Sequence, residues 1–351
     1  MRWVQEFAAT AVATDRLVDH PDHTRLLAAG LFGEVGSVVA EVKKQQRERD
    51  SYPERQSRML EELGDALWYL TRLSSLVAPE LLDADCHAMT RGEALATLLD
   101  LGTSAGEVLA ALAEPSSQSL VVAFRRVWAA LRAAADAVGV ELGDAARANC
   151  SKIRSRWPTE RHLTPLFDDA FPAYEQLPRA LTVEFVEQGA GERKNVLLRC
   201  NDLNFGDRLT DNSPDPDGYR FHDIFHFSNA VHLGWSPVVR ALLRCKRKSD
   251  PRVDEAEDGQ RAVILDEAIA ATVFSRAKQL RFFEGIDHID YDLLKTVSGF
   301  IEGYEVSRVP LWQWEMGILD GYRVFRLLRA NGGGRVQLDL VRRTLGYERL
   351  A

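Results

Sequence analysis

The sequence predicts a mainly α-helical protein built as two domains, the first all-helical and the second mostly helical with a small β-hairpin. Three observations carry this. The chain is 351 residues long, which favours two domains over one. Its first half is rich in Ala, Leu, Glu and Arg with apolar residues at helical spacing. Its character changes beyond a segment with four prolines, WPTERHLTPLFDDAFPAYEQLPR. The expected division is a helical bundle over 1–158, a linker over 159–180 and a second domain over 181–351.

In the first domain the segments Leu26 to Val42 and Met59 to Leu76 show the helical period most clearly, and RERDSYPERQ, with Pro53, connects them. Leu31-Phe32-Gly33-Glu34-Val35-Gly36-Ser37-Val38 can be laid on Leu101-Gly102-Thr103-Ser104-Ala105-Gly106-Glu107-Val108. Ala66-Leu67-Trp68 can be laid on Arg126-Val127-Trp128, with a different offset. This pattern raises an internal pseudo-repeat of two helical hairpins, which together make a four-helix bundle. In the second domain LTVEFVE (from Leu181) and NVLLRC (from Asn195) read as a hairpin joined by QGAGERK. Helices are expected from near Tyr219, over Arg261–Phe283, Tyr291–Val306 and Leu311–Ala330, with Gly332–Gly334 as closing punctuation.

Composition excludes some functions. With 46% hydrophobic and 27% charged residues the chain can bury a sizeable core. A formal net charge of −8 argues against a nucleic-acid duplex as partner. No apolar run of roughly 18 residues is apparent, and MRWVQEFAAT lacks the order of a signal peptide, so no membrane is expected. Four scattered cysteines, Cys86, Cys150, Cys200 and Cys245, form no CxxC pair, which points to a reducing cytoplasm.

The chemistry-bearing residues of the first domain are carboxylates. Glu34 and Glu41 share one helix face roughly 10 Å apart, and Glu62 and Asp65 share a face one turn apart on the next helix, beside Glu61. Such groups are either solvated helix faces or, where two helices bring them together, ligands for a divalent cation that relieves their repulsion. Asn149, Lys152 and Arg156 fall on one face of a later helix. They could meet phosphate, or simply complement a helix C-terminus. Trp68 and Trp128 read as core rather than as base-stacking platforms.

The blocks WVQEFAATA, GLFGEVGSVVAEVKK (Gly30 to Lys44) and LEELGDALWYL (Leu60 to Leu70), with the closing element LGDAARANCSKIRSRWP, together resemble the MazG-like all-α nucleoside triphosphate pyrophosphohydrolases. The resemblance implies cleavage of NTP or dNTP to monophosphate and pyrophosphate with Mg²⁺ or Mn²⁺. It implies a metal site drawn from Glu34, Glu62 and Asp65. It also implies substrate contacts from Asn149, Lys152 and Arg156, and a homodimer unless the internal repeat makes one chain self-sufficient. The sequence departs from that pattern at Gly33 and Ser37, where the family's first acidic motif carries glutamates. Glu41, or Glu107 from the second copy, could stand in.

The second domain carries DGYRFHDIFHFSNAVHLGWSP. His222 and His226 are one turn apart, Asp223 adjoins the first, and Glu267 lies on a later helix, a set able to hold a second, transition metal. The same histidines among Phe221, Phe225 and Phe227 also fit a hydrogen-bonded core pair. The run LLRCKRKSDPRVDEAEDG reads as a solvated loop, in which Lys246, Arg247 and Lys248 could hold a phosphate. The stretch from Gly206 through LDEAIAA is similar to the domain attached C-terminally to some MazG-like proteins. Three functions follow: a triphosphate pyrophosphohydrolase; a nucleotide-sensing first domain controlling a metal-dependent hydrolase in the second; or a second domain that only binds a partner.

Overall fold

A computed structural model describes residues 2–82, 94–113, 117–191 and 194–350. The chain divides into two compact units, Met1–Thr159 and Glu160–Ala351. The first contains helices α1 (Arg2–Ala13), α2 (His23–Glu48), α3 (Arg55–Val77), α4 (Ala94–Ala113), α5 (Ser117–Val138) and α6 (Leu142–Arg156). The expected pair of helical hairpins is present: α2 packs along α3, α4 along α5, and α2 also packs against α4. Their apolar stripes meet in one core, with Leu27, Leu31, Val35 and Val38 of α2 facing Leu63, Leu67 and Leu70 of α3. Trp128 is buried there and donates from Nε1 to Ser74 Oγ at 3.0 Å. Trp68 is half-buried, edge-on to Tyr69, and donates to Thr14 Oγ1 at 3.3 Å.

One helix bears on the expectation that no membrane is involved, although Asp100 and Glu107 interrupt its apolar run. Leu95–Ala113 of α4, with mean hydropathy 1.3, is long and apolar enough to cross a membrane by length and composition. In this fold its Leu98, Leu101, Ala105 and Val108 enter the bundle core while Leu95 and Leu99 stay exposed.

The second unit contains β1 (Ala180–Gln188), β2 (Asn195–Cys200), β3 (Leu203–Leu209), α7 (Asp223–Leu233), α8 (Pro237–Leu243), α9 (Pro251–Ala256), α10 (Gln260–Gln279), α11 (Tyr291–Phe300), α12 (Leu311–Asn331), β4 (Gly333–Asp339) and β5 (Thr344–Glu348). The predicted hairpin forms, with Phe185 opposite Leu198. It is part of a larger, antiparallel five-stranded sheet of order β3-β2-β1-β4-β5, in which Val183 of β1 also pairs with Val336 of β4. The glycines read as a terminus instead turn the chain into a strand. Gly332 caps α12 in the left-handed region (φ 64°), and β4 begins at the next residue. Helix starts follow side-chain chemistry: Ser236, Asp250 and Asp290 each accept a backbone N–H in the first turn of α8, α9 and α11.

Two polar segments depart from expectation. Residues 160–179, read mostly as linker, lie in the second unit. Asp168 is fully buried and accepts from Leu177 N, Arg179 and Arg240, each at 2.7 Å. Thr164 donates to Gln313 from both its N–H and its hydroxyl. The run read as a solvated loop contains α9, and its Arg247 is fully buried, 2.7 Å from Asp258 and 2.6 Å from Glu305. Its guanidinium is neutralised inside the protein, so it holds no phosphate. Cys86 lies outside the described residues; Cys150, Cys200 and Cys245 are free thiols.

Candidate functional sites

The first site is built where α3 passes between α2 and α6. Because the apolar stripes of α2 and α3 face each other, residues flanking those stripes sit at the margin of the contact. Glu34, Glu61, Glu62 and Asp65 are all half-buried there. Helix α6 comes unusually close to α3 at Gly64, where an added Cβ would stand 2.8 Å from the carbonyl oxygen of Ala145 and 3.1 Å from Asn149 Cβ. That approach brings the α6 side chains onto Asp65. Asn149 Nδ2 donates to Asp65 Oδ1 at 2.6 Å. Lys152 Nζ donates to both carboxylate oxygens, 2.5 Å to Oδ2, and lies 3.9 Å from Glu61 Oε1.

The electrostatics record crowding. The Glu34 carboxyl is pushed up to about 7, first by burial and then by the charges of Asp65 and Glu62, with Lys152 opposing. Burial also raises Asp65, against the pull of Lys152. Tyr69 is raised by burial, then by Glu34 and Asp65, so its ring belongs to the same neighbourhood. Glu34, Glu62 and Asp65 thus feel one another's charge, with Glu61 and Tyr69 in the same field, while Asn149 and Lys152 bond Asp65 directly. Among the described residues these carboxylates do not converge within 4.8 Å.

Three other expected residues have partners of their own. Glu41 is buried, accepts from Gln45 and raises Tyr52, after burial itself. Glu107 is held 2.6 Å from Arg126 of α5. The guanidinium of Arg156 stacks on Trp157, 4.4 Å from the ring centroid. Glu41 and Glu107, named as stand-ins for the glutamate missing at Ser37, are thus each engaged with another side chain. A buried triad not anticipated from the sequence lies at the end of α1. Asp15 accepts from Arg72 Nε at 2.7 Å and from Leu17 N at 2.9 Å, with His23 Nε2 at 2.6 Å. Burial acts to raise Asp15, but these three donors outweigh it and hold the carboxyl below its ordinary range.

The second site joins α7 to α10. His222 precedes the first residue of α7, His226 follows one turn later, and Glu267 lies on α10. One ligand atom from each lies within 4.8 Å of the others. Glu267 Oε2 is 3.3 Å from His226 Nε2 and 3.9 Å from His222 Nε2. On the far side of the rings, His222 Nδ1 is 2.9 Å from the Tyr219 carbonyl and His226 Nδ1 is 3.0 Å from Asp266 Oδ1. Asp223 sits 3.2 Å from His222 Nε2. The neighbour Asp266 was missed in the sequence, although LDEAIAA places it directly before Glu267. Burial opposes charge on His226, yet Asp266 and then Glu267 raise it well above the ordinary histidine value. Burial also raises Asp223.

Comparison with known proteins bears on the second unit. No curated protein and no solved structure matches the chain. A family model, described as the MazG C-terminal domain, matches residues 162–351. The matched segment starts within the formerly expected linker and takes in both the sheet and the histidine site. It spans more than half of the sequence, and the chain therefore belongs to the MazG C-terminal domain family.

Proposed function

We propose that the first unit is a Mg²⁺-dependent hydrolase that splits nucleoside triphosphates into monophosphate and pyrophosphate. The observation that carries this reading is the electrostatic coupling of half-buried Glu34 on one helix to Asp65, Glu62 and Glu61 on the next, beside Lys152 of a third. Lys152 pairs with Asp65 and Arg58 with Glu61, and burial followed by the charges of Asp65 and Glu62 pushes the Glu34 carboxyl up to about 7. An all-oxygen donor set of this kind suits a hard divalent cation, Mg²⁺ or Mn²⁺, which takes few protein ligands and keeps room for phosphate oxygens. Glu34, Glu62 and Asp65 would hold it.

When bound, the cation supplies neutralisation of the charge that builds on the phosphate chain. The protein's own residues do the rest. Asn149 orients the Asp65 carboxylate by donating to it, and Gly64 keeps α6 close enough for that bond. Lys152 keeps a positive charge at the same point, suited to a phosphate oxygen when substrate enters. Glu62 and Glu34 add the negative charge that a divalent cation would relieve, in competition with the proton that Glu34 takes up near pH 7. The choice of the α–β phosphate bond rests on the likeness of the Trp3-to-Tyr69 blocks to the pyrophosphohydrolases. Membership of the MazG C-terminal domain family agrees with a nucleotide-related role.

The test is a panel of ribo- and deoxyribonucleoside triphosphates incubated with the full chain and Mg²⁺, with monophosphate and pyrophosphate quantified separately. Pyrophosphate release is expected, and Glu62→Gln and Asp65→Asn, nearly isosteric changes, should lower it at least 100-fold while circular dichroism stays unchanged. Release of orthophosphate instead, or full activity in Asp65→Asn, overturns the proposal.

A further inference from the structure

We propose that His222, His226 and Glu267 form a second, independent metal site, one that takes a single transition-metal dication with coordination positions open to solvent.

The case starts from lone pairs. The Tyr219 carbonyl can only accept, so the proton on His222 sits on Nδ1, 2.9 Å from that oxygen. A neutral His222 then presents an Nε2 lone pair to Asp223 Oδ1 at 3.2 Å and Glu267 Oε2 at 3.9 Å. The same holds one turn on. Asp266 Oδ1 faces His226 Nδ1 at 3.0 Å, which turns the Nε2 lone pair of a neutral His226 toward Glu267 Oε2 at 3.3 Å. His226 is wholly buried, and its Nε2, which faces Glu267, lacks a hydrogen bond of proper geometry. Acceptors that converge on one point without bonding to one another describe the surroundings of a cation.

The outer contacts are those a metal-binding histidine needs. A ligating imidazole is commonly fixed by a carboxylate or carbonyl on its second nitrogen, and here each histidine has one of the two. Asp266 is itself immobilised: it is fully buried and accepts from Asn229 Nδ2 at 3.1 Å, Ser236 Oγ at 2.6 Å and Val238 N at 3.4 Å. His222 is clamped by parallel stacking on Tyr219, with ring centroids 4.4 Å apart, and lies 80° from the plane of His226.

The donor set selects the class of ion. Two imidazoles and one carboxylate suit Zn²⁺, Fe²⁺ or Mn²⁺ rather than Mg²⁺ or Ca²⁺. Three protein ligands leave positions open, as in metal sites that bind substrate rather than brace a fold. The Glu267 side chain is 44% exposed while that of His226 is fully buried, so solvent and ligand would reach the ion from the α10 side.

The competing account is a metal-free imidazolium at His226 held between Asp266 and Glu267. The experiment separates the two. The full chain, stripped with a chelator, is titrated with Co²⁺ and Zn²⁺ in an Asp65→Asn background, which disables the carboxylate site of the first unit. One tightly held equivalent is expected, with visible Co²⁺ absorption of a nitrogen-and-oxygen-ligated ion, and Mg²⁺ in excess should not displace it. Glu267→Gln, at a half-exposed position that spares the fold, should weaken binding at least 10-fold, and His222→Ala should abolish the absorption. No retained equivalent in the parent protein, or an unchanged Co²⁺ spectrum in Glu267→Gln, overturns the proposal.

Discussion

Substituting Gly64 by alanine tests whether the first site depends on how closely two helices approach. In most helices Gly→Ala is stabilising by about 1 kcal/mol, because alanine orders the backbone at lower entropic cost. At position 64 the new methyl would stand 2.8 Å from the Ala145 carbonyl oxygen, a backbone atom that moves only if α6 moves. Overpacking of that kind costs about 1–3 kcal/mol. The net expectation is a loss of about 1 kcal/mol, near 2–4 °C in melting temperature for a unit of this size. Gly36, on the exposed side of α2, is the control: nothing lies within 4 Å of a Cβ placed there. Gly36→Ala should raise the same calorimetric transition by about 2–4 °C. Because a displaced α6 carries Asn149 and Lys152 away from Asp65, pyrophosphate release should fall in Gly64→Ala even well below its melting temperature. Equal stabilisation by both substitutions would refute the close-approach argument.

Three further outcomes are expected. Asp15→Ala leaves the Arg72 guanidinium, 5% exposed, without its carboxylate, and should cost about 3–5 kcal/mol, read as a lower melting temperature. Arg247→Met removes the cation shared by buried Asp258 and by Glu305, leaving Asp258 only Arg240 at 3.6 Å and a backbone N–H, and should destabilise by about 3–5 kcal/mol in chemical denaturation, whereas Lys248→Ala, at an exposed neighbour, should change stability by under about 0.5 kcal/mol. Asp168 gives a pH signature. Burial acts to raise its carboxyl, but Arg179, the Leu177 N–H and Arg240 lower it below the ordinary 3.8. A depressed folded value means the carboxylate stabilises the fold above about pH 4, and that this share disappears as pH falls through the folded value. The melting-temperature gap between wild type and Asp168→Asn should be constant from pH 8 to 5 and shrink below pH 4; a gap that widens in acid counts against this pairing.

The helices were legible because burial imposes a period that survives in the letters: Leu27, Leu31, Val35 and Val38 mark the buried face of α2 without knowledge of its partner. What the period cannot carry is a pairing between distant residues. β4 alternates Val336 and Leu338 with Arg335 and Gln337, a strand signal hidden by the glycines before it. Arg247 was read as solvated because charge is ordinarily exposed, and only the fold reveals that Asp258 and Glu305 neutralise it. The proline-rich segment before β1 looked like a linker for the same reason: its contacts reach Arg240 and Gln313, far along the chain.

The two candidate sites divide along the same line. Spacing of one helical turn was enough to place Glu62 beside Asp65, and His222 beside His226, since both pairs are local. The choice between a solvated helix face and a working cluster was not local, because it turned on α2 and α6 arriving at α3 from opposite ends of the first unit's sequence. Glu41 shows the limit of the local rule. It shares a helix face with Glu34 in the letters, yet it is buried beside Tyr52, where the loop after α2 folds back. Asp266 shows the converse: adjacent to Glu267 and passed over in the letters, it points the other way along the helix circumference and supports His226 from behind. Adjacent residues on a helix lie about 100° apart. One can therefore face an ion while its neighbour fixes the orientation of that ion's ligand, so an acidic pair beside a histidine motif reads as a ligand with its support.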